Sequence, residues 1–238
     1  MNGPPRIATR AGIAPFADAG SAGALDRLLP GAGAWEVELG FGKGRFLLAR
    51  AAAHPDRRFL GVELAGEYFR LVARRLERRK LDNVLLVHGE ALALLATALP
   101  PRFVDTLHVY FPDPWPKTRH ARRRLLSPAT VDLLFAALAP GGRFQFATDH
   151  PAYGAFVERL LGGVPGARVE RIEPGWPEGP RTNYEAKYVA EGRPIVRLEA
   201  RQEGSAGIHP HGLGPLAVAF GAETVGDEID SAGSGELA

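Results

Sequence analysis

The sequence predicts an α/β protein with a doubly wound, mostly parallel β-sheet, and three observations support that prediction. Short apolar runs with strand character alternate with segments of helical periodicity through most of the chain. Such alternation requires parallel strands joined by right-handed crossovers, with helices on both faces of the sheet. Toward the C-terminal end the pattern changes to the period-two alternation of half-exposed strands, which indicates an antiparallel pair at one edge.

The parallel strands are predicted at five apolar runs, residues 35–39, 59–63, 84–88, 106–110 and 143–147. A helix precedes the third strand, because Tyr68, Leu71, Val72 and Leu76 form one apolar stripe. Ser127 followed by Pro128 begins another helix, which we expect to end at 140–142, and a third helix begins near Pro151. The antiparallel edge strands are predicted at residues 168–172 and 193–201.

One domain accounts for the whole pattern, and we expect it over residues 25–202. Residues 1–24 are rich in Gly, Ala and Pro, and residues 203–238 are rich in Gly, Ala, Ser and acid, so both ends are predicted to be flexible. From Glu203 onward there are six acidic residues and no Lys or Arg, so residues 1–202 carry a formal charge of +8. That charge favours a polyanionic partner.

Composition excludes several other classes of protein. No segment has the roughly 18 uncharged apolar residues of a membrane span, and the N-terminus lacks a basic region followed by a long apolar stretch, so we expect a cytoplasmic protein. The chain has no cysteine, which excludes disulfides and thiolate chemistry. Its seven histidines show no metal-ligand spacing, so no metal is expected. The oligomeric state stays open, with a homodimer among the alternatives.

A glycine-rich loop follows the first parallel strand. Gly40, Gly42 and Gly44 let the backbone turn sharply and approach a ligand at the carboxyl edge of the sheet, where ligands of open α/β sheets bind. A dinucleotide fingerprint would require glycine at position 45, but this chain has Arg45 there. No Lys followed by Ser or Thr forms a triphosphate-binding loop either. The loop therefore suits a nucleoside without phosphates.

Two carboxylates accompany this loop at the same edge. Glu63, at the end of the second parallel strand, is placed to accept both hydroxyls of a ribose. Glu38 could face a sulfonium or an α-ammonium group. Glu90, after the third strand, could accept the amino group of adenine. This combination indicates S-adenosylmethionine, although strand-end acids that face water would give the same pattern.

A stiff loop with the sequence FPDPWPK follows the fourth strand. Prolines fix their own φ and hold the preceding residues extended, so Asp113 and Trp115 are presented rigidly. The loop continues into a basic run, Arg119, His120, Arg122, Arg123 and Arg124. A carboxylate, an aromatic ring and guanidinium groups together suit a planar base attached to phosphate. A proline-stiffened loop with a solvated charge run is the structural alternative.

These motifs together resemble those of the bacterial tRNA (guanine-N7-)-methyltransferases. The resemblance covers roughly residues 34 to 201 and includes GFGKG, FPDPWPK with its basic sequel, the Ala-Thr-Asp at 147–149 and the Thr-Asn-Tyr-Glu at 182–185. It implies a class I methyltransferase fold, S-adenosylmethionine as the methyl donor and a guanine in the variable loop of tRNA as the acceptor. Asn183 and Tyr184 replace the family's usual Lys-Phe, and Glu90 stands where Asp is usual.

The resemblance also implies roles for individual residues. The cofactor site would be lined by Glu38, Gly40, Gly42, Gly44, Glu63, Glu90 and Asp113, of which Asp113 would also be the catalytic residue. Substrate contacts would come from Lys117, Asp149, Thr182, Asn183, Tyr184 and Glu185. The basic run would contact RNA through Arg119, His120, Arg122, Arg123 and Arg124.

Three other functions stay open on the residues alone. A methyltransferase acting on an exocyclic amine of a base would share the scaffold, but such enzymes typically carry Asn or Asp followed by Pro-Pro and an aromatic. A non-catalytic RNA-binding module would keep the basic surface without needing Glu38 and Glu63. A nicotinamide oxidoreductase is disfavoured by Arg45.

Overall fold

The computed structural model describes residues 6–9, 12–15, 23–97, 99–114 and 124–203. The strands are β1 (Arg6–Thr9), β2 (Gly12–Pro15), β3 (Trp35–Leu39), β4 (Arg58–Glu63), β5 (Val84–His88), β6 (Val104–Tyr110), β7 (Leu138–Thr148), β8 (Ala167–Arg171) and β9 (Val196–Gln202). The helices are α1 (Ala24–Leu28), α2 (Arg45–Ala53), α3 (Gly66–Arg79), α4 (Ala91–Thr97), α5 (Pro128–Ala137), α6 (Pro151–Gly162) and α7 (Asn183–Ala190). None of these helices is long and apolar enough to span a bilayer.

The described strands form one sheet in the order β2-β1-β5-β4-β3-β6-β7-β9-β8. The central strands β5, β4, β3, β6 and β7 pair in parallel, whereas β9 pairs antiparallel with β7 and β8. This confirms the predicted doubly wound sheet with an antiparallel edge pair. Because the strand order reverses between β3 and β6, the loops after these two strands meet at the carboxyl edge of the sheet.

Element bounds agree closely with the sequence pattern except at β7 and at the start of β9, which begins at Val196 rather than at the predicted residue 193, because Pro194 has no backbone N–H to donate to the sheet. Strands β3 and β5 have the predicted bounds, and α5 and α6 begin at Pro128 and Pro151 as predicted. The helix expected to run to 140–142 ends at Ala137, because Leu138 is already extended (φ −68°, ψ 134°) and pairs with Val104. Apolar residues at the end of a helix and at the start of a buried strand give the same sequence pattern.

The N-terminal residues contain a hairpin that the sequence did not predict. Strand β1 pairs antiparallel with both β2 and β5 and so joins the sheet, where Ile7 and Ala8 are buried. Residues 1–24 were predicted to be flexible throughout, and this prediction is wrong for the hairpin. The hairpin is held by backbone hydrogen bonds of β1 along β5, which need few apolar side chains and so leave little signal in the sequence. Of the predicted tail, all but Glu203 lies outside the described residues.

Helices cover both faces of the sheet. On one face α2 and α3 bury an apolar cluster that includes Leu47, Phe59, Phe69 and Leu76. The opposite face packs against α1, α4, α5 and α6 through a larger cluster. These two layers fix the strand ends, and therefore the loops that follow β3 and β6.

Candidate methyl-donor and acceptor site

The glycine loop after β3 leaves open space above its backbone. Gly40, Gly42 and Gly44 all have left-handed backbones, with φ of 76°, 51° and 69°. A Cβ at Gly44 would lie 2.7 Å from a methyl group of Val72, so glycine there allows α3 to approach. A Cβ at Gly40 or Gly42 would meet no atom of the described residues within 4 Å. Those two glycines therefore face the space that a ligand would occupy.

A cavity of about 250 Å³ lies above this loop. Its walls come from the loop itself, the start of α3, the end of β6 and the start of α7. The lining residues are Glu38, Gly40, Phe41, Gly42, Lys43, Gly44, Arg45, Phe46, Tyr68, Tyr110, Phe111, Thr182, Asn183, Tyr184 and Lys187. The cavity thus joins the predicted donor loop to the predicted substrate segment at the carboxyl edge of the sheet.

Glu38 places a buried carboxyl group in the wall of this cavity. The residue is 3% exposed, and its Oε2 has no hydrogen-bond partner among the described residues. Burial, with a further contribution from the charge of Glu63, raises the pKa of Glu38 to about 8. A buried carboxyl without a partner for one oxygen is costly. It therefore suits a ligand that brings a cation or a hydrogen-bond donor.

Glu63 supports the glycine loop from behind. The Gly42 backbone N–H donates to Glu63 Oε2 over 2.7 Å, and the Ala65 N–H donates to Oε1 over 2.9 Å. Both oxygens are thus engaged by backbone, and Glu63 is not among the residues that line the cavity. Each carboxylate oxygen can accept a second hydrogen bond. The ribose contact of Glu63 stays a prediction, to which the structure adds a positioning role.

Glu90 is an exposed helix cap in the structure. Its Oε2 accepts a hydrogen bond of 2.7 Å from the backbone N–H of Ala93, in the first turn of α4. The side chain does not line the cavity. Its predicted contact with adenine stays a prediction.

The predicted catalytic residue, Asp113, lies just beyond the cavity wall. Phe111, directly after β6, has a left-handed backbone (φ 52°), an unusual conformation for a residue with a side chain, and it lines the cavity. Asp113 is exposed and does not line the cavity. Arg124 donates from Nε to the carbonyl of Pro114 over 2.9 Å, which joins the two ends of the loop, and its RNA contact stays a prediction.

Of the other residues predicted to contact the acceptor or RNA, Asp149 is held in an ion pair, and most of the loop after β6 lies outside the described residues. Asp149 forms an ion pair of 2.5 Å with Arg193. Lys117, Arg119, His120, Arg122 and Arg123 lie outside the described residues, as does Trp115.

The start of α7 brings the predicted 182–185 segment to the cavity. The hydroxyl of Thr182 caps α7 by accepting from the Glu185 N–H over 3.0 Å. Thr182, Asn183 and Tyr184 line the cavity, and the Tyr184 side chain is 54% exposed. Glu185, in contrast, is fully buried, and its carboxylate accepts from Arg197 Nε over 2.6 Å and from the Arg181 N–H over 2.8 Å. The structure therefore places Glu185 behind the wall, where it positions the segment.

A buried polar network that the sequence analysis missed begins at Glu36, which is 1% exposed. Its carboxylate accepts from Arg50 Nε at 2.9 Å, from Arg57 at 2.9 Å and from His108 Nε2 at 3.1 Å. Burial alone would raise the pKa of Glu36, but the hydrogen bonds from His108 and Arg50 hold it well below its usual range. Burial lowers the pKa of His108, so its neutral ring donates from Nε2 to the Glu36 carboxylate.

The network continues to the cavity wall through Tyr110. Its hydroxyl lies 2.9 Å from His108 Nδ1 and accepts a hydrogen bond from Arg181, whose guanidinium also donates to Gln145. The guanidinium carbon of Arg181 lies 3.7 Å from the centroid of the Trp176 ring. Burial raises the pKa of Tyr110, which keeps the phenol protonated. The sequence did contain one indication of this network: Glu36 and Glu38 stand at alternate positions of the otherwise apolar strand β3.

Comparison with known proteins identifies relatives over the region that builds this site. A family model described as "Putative methyltransferase" matches residues 33–198. The tRNA (guanine-N(7)-)-methyltransferase of Nitrosococcus oceani is 38% identical over 166 residues, which cover 70% of this chain and 70% of the relative. The protein of the same description from Cutibacterium acnes is 35% identical over 203 residues, covering 83% of this chain and 72% of the relative.

Solved structures share the fold at low sequence identity. The 16S rRNA methyltransferase KamB has a TM-score of 0.60 at 16% identity, covering 84% of this chain and 100% of the other. A methyltransferase from Aquifex aeolicus, described as SAM dependent, has a TM-score of 0.51 at 14% identity, covering 75% of this chain and 87% of the other. These likenesses establish the architecture of the sheet and its helices.

Proposed function

The chain belongs to the tRNA (guanine-N7-)-methyltransferase family, and on that premise we propose that it transfers a methyl group from S-adenosylmethionine to N7 of a guanine in the variable loop of tRNA. One observation of the structure carries the proposal: Glu38 holds an unpartnered, buried carboxyl oxygen in the cavity above an open glycine loop. That feature suits a cationic nucleoside cofactor and is not explained by the packing of the protein alone.

The residues of the cavity fit S-adenosylmethionine in charge and shape. When bound, the cofactor supplies an electrophilic methyl group on a sulfonium. Glu38 offers its carboxylate to a cationic group, and Gly40 and Gly42 leave room for close backbone approach. Lys43 and Arg45, which are exposed at the edge of the same cavity, provide positive charge for a carboxylate.

The acceptor side of the cavity has to position a base more than to activate it. N7 of guanine carries an in-plane lone pair and no proton, so no general base is required. Alignment of two reactants can supply roughly 7–11 kcal/mol of barrier reduction. The exposed ring of Tyr184 offers a stacking surface at the cavity mouth, where Phe111 lies 6.4 Å away between ring centroids. These side chains support the placement of a purine there.

We assign to Asp113 the orientation of that purine. It follows Phe111 by two residues, and it is exposed, so that its carboxylate is accessible to a substrate. Hydrogen bonds from N1 and N2 of guanine to a carboxylate would recognise the base and would strengthen as methylation makes the ring cationic. Asp149 is a second candidate for such a contact, since its ion pair with Arg193 engages one carboxylate oxygen.

The proposal is tested by incubating the protein with unmodified tRNA and methyl-labelled S-adenosylmethionine, then locating the label. We expect 7-methylguanosine in the variable loop. Label on an exocyclic amine would establish the alternative methyltransferase, and tRNA binding without transfer would establish a non-catalytic RNA-binding module. In single-turnover assays Asp113→Asn should slow transfer by about 10²-fold, if an electrostatic contact in the transition state is lost. Asp132→Asn, at an exposed position of α5, is the matched control.

A further inference from the structure

A basic groove lies between α2 and α3, next to the cavity. It has a volume of about 430 Å³ and is lined by Gly44, Arg45, Leu48, Ala49, Arg75, Arg78, Arg79 and Asn183. Four of these residues are arginines and none is acidic. The groove is therefore strongly positive. Its charge comes from α2 and α3 and not from the basic run after β6.

These arginines differ from most others in the described part of the chain in having no acidic partner. Arg45, Arg78 and Arg79 are exposed and form no ion pair within the ranges that the structure describes. Ten other described arginines are neutralised by acids, as in the pairs Arg171–Glu158 and Arg197–Glu185. The groove therefore offers a partner a cluster of positive charge that no acid of the described residues neutralises.

The packing of α3 holds the charges in place. Its buried face, which includes Phe69, Val72 and Leu76, fixes the rotation of the helix against the sheet. Residues 75, 78 and 79 are three and four positions apart and therefore share the exposed face. Like charges at this spacing destabilise an isolated helix. A bound polyanion would remove that repulsion.

Arg75 and Arg45 connect the groove to the site. Arg75 donates to the carbonyl of Lys43 in the glycine loop over 2.7 Å. Gly44, Arg45 and Asn183 line both the groove and the cavity, so the two spaces are adjacent. A nucleic-acid strand that lay in the groove would have its next nucleotide at the cavity mouth.

We propose that this groove binds the phosphate backbone of the tRNA beside the guanine that enters the cavity. The inference rests on the proposed function and extends it, because it assigns RNA contacts to α2 and α3 in addition to the basic run at 119–124. Phosphate contacts orient a nucleic acid without reading its sequence. The groove therefore sets the direction of the strand, and the cavity selects the base.

The test neutralises two arginines that do not line the cavity, in the variant Arg78→Gln/Arg79→Gln. Binding of an unmodified tRNA transcript is measured across a salt series. Each lost phosphate contact reduces the slope of log K against log salt by about 0.7–0.9, so the double variant should reduce it by about 1.5. We also expect binding at low salt to weaken about tenfold or more. Uptake of S-adenosylmethionine should be unchanged.

Two further variants keep the result unambiguous. Arg159→Gln/Arg168→Gln removes the same charge from exposed positions on α6 and β8, at the opposite end of the sheet, and should leave the slope unchanged. Glu77→Gln removes an exposed acid from α3 and should tighten binding. If the α3 double variant binds like the control while methylation proceeds normally, the groove is not the interface and only this inference fails. If the unaltered protein does not bind tRNA, the proposed function fails as well.

Discussion

The two sides of the cavity differ in how their polar groups are satisfied. On the β3 side, Glu38 keeps an unpartnered oxygen and the glycine loop faces open space. On the α7 and β9 side, acids and bases are paired with each other, as Glu185 is with Arg197. The first side is arranged for a ligand that the chain does not supply. The second is a stabilised wall that holds cavity residues such as Thr182 in position.

We therefore expect substitutions on the α7 and β9 side to change mainly stability, and substitutions on the β3 side to change mainly ligand binding. Substitution on the paired side should unfold the protein more readily, since it leaves a buried charge without its partner. Substitution of Glu38 should do the reverse, because it removes a group whose charge is unfavourable until a ligand arrives.

The largest effect is expected at the paired side, for Glu185→Ala. Glu185 is fully buried and Arg197 is 9% exposed, so the variant leaves a largely buried guanidinium without its acid. Loss of one partner of such a pair costs about 3–5 kcal/mol. Urea denaturation should show that loss, whereas Glu191→Ala, at an exposed position just after α7, should change the free energy of unfolding by less than about 0.5 kcal/mol. Equal effects of the two variants would contradict a structural role for Glu185.

A smaller effect of opposite sign is expected for Glu38→Gln. The folded protein holds a proton on Glu38 up to a pKa of about 8, above the ordinary glutamate pKa of 4.5. The folded state therefore binds more protons than the unfolded state between these values, and the contribution of Glu38 to stability falls as pH rises through this window. At pH 8 the variant should be more stable than the original protein by about 1–3 kcal/mol.

The matched control is Glu67→Gln, an exposed acid at the start of α3. Thermal unfolding of the three proteins at pH 5 and pH 8 gives the comparison. The gain for Glu38→Gln should grow with pH, and the control should show no such trend. A variant that is less stable at pH 8 would mean that the carboxylate has an internal partner.

The smallest effect on stability is expected for Asp149→Asn. Asp149 and Arg193 are partly exposed, with side-chain exposures of 23% and 43%, and pairs of this kind contribute about 0–1 kcal/mol. If Asp149 contacts guanine, the rate of methylation at saturating donor should fall while stability hardly changes. A loss of stability without a loss of rate would restrict Asp149 to its ion pair.

Much of this architecture could be predicted from the sequence because its signals are local. The bounds of β3 and β5, the helix starts at Pro128 and Pro151 and the glycine loop depend on short apolar runs and on residues with fixed backbone preferences. Glu38 was predicted to contact the cofactor from its place before the loop; the structure shows that it lines the cavity, and the contact itself stays a prediction.

What could not be predicted depends on contacts between distant residues. The partners of Glu36 come from α2, from Arg57 just before β4 and from β6, and Glu185 meets Arg197 twelve residues away. The hairpin of β1 and β2 is stabilised by pairing along β5, which its composition does not reveal. For Glu63 and Glu90, strand-end position suggested ligand contacts, whereas the structure shows hydrogen bonds to nearby backbone.

The most direct test of the contrast is a calorimetric titration of the protein with S-adenosylmethionine between pH 6 and pH 8, in buffers that differ in ionisation enthalpy. If the cofactor's cation binds the Glu38 carboxylate, binding should release a proton, and affinity should rise about tenfold from pH 6 to pH 7. Glu38→Gln should bind more weakly and lose this dependence. No uptake of the cofactor, or uptake with the same affinity and pH dependence in both proteins, would contradict the account.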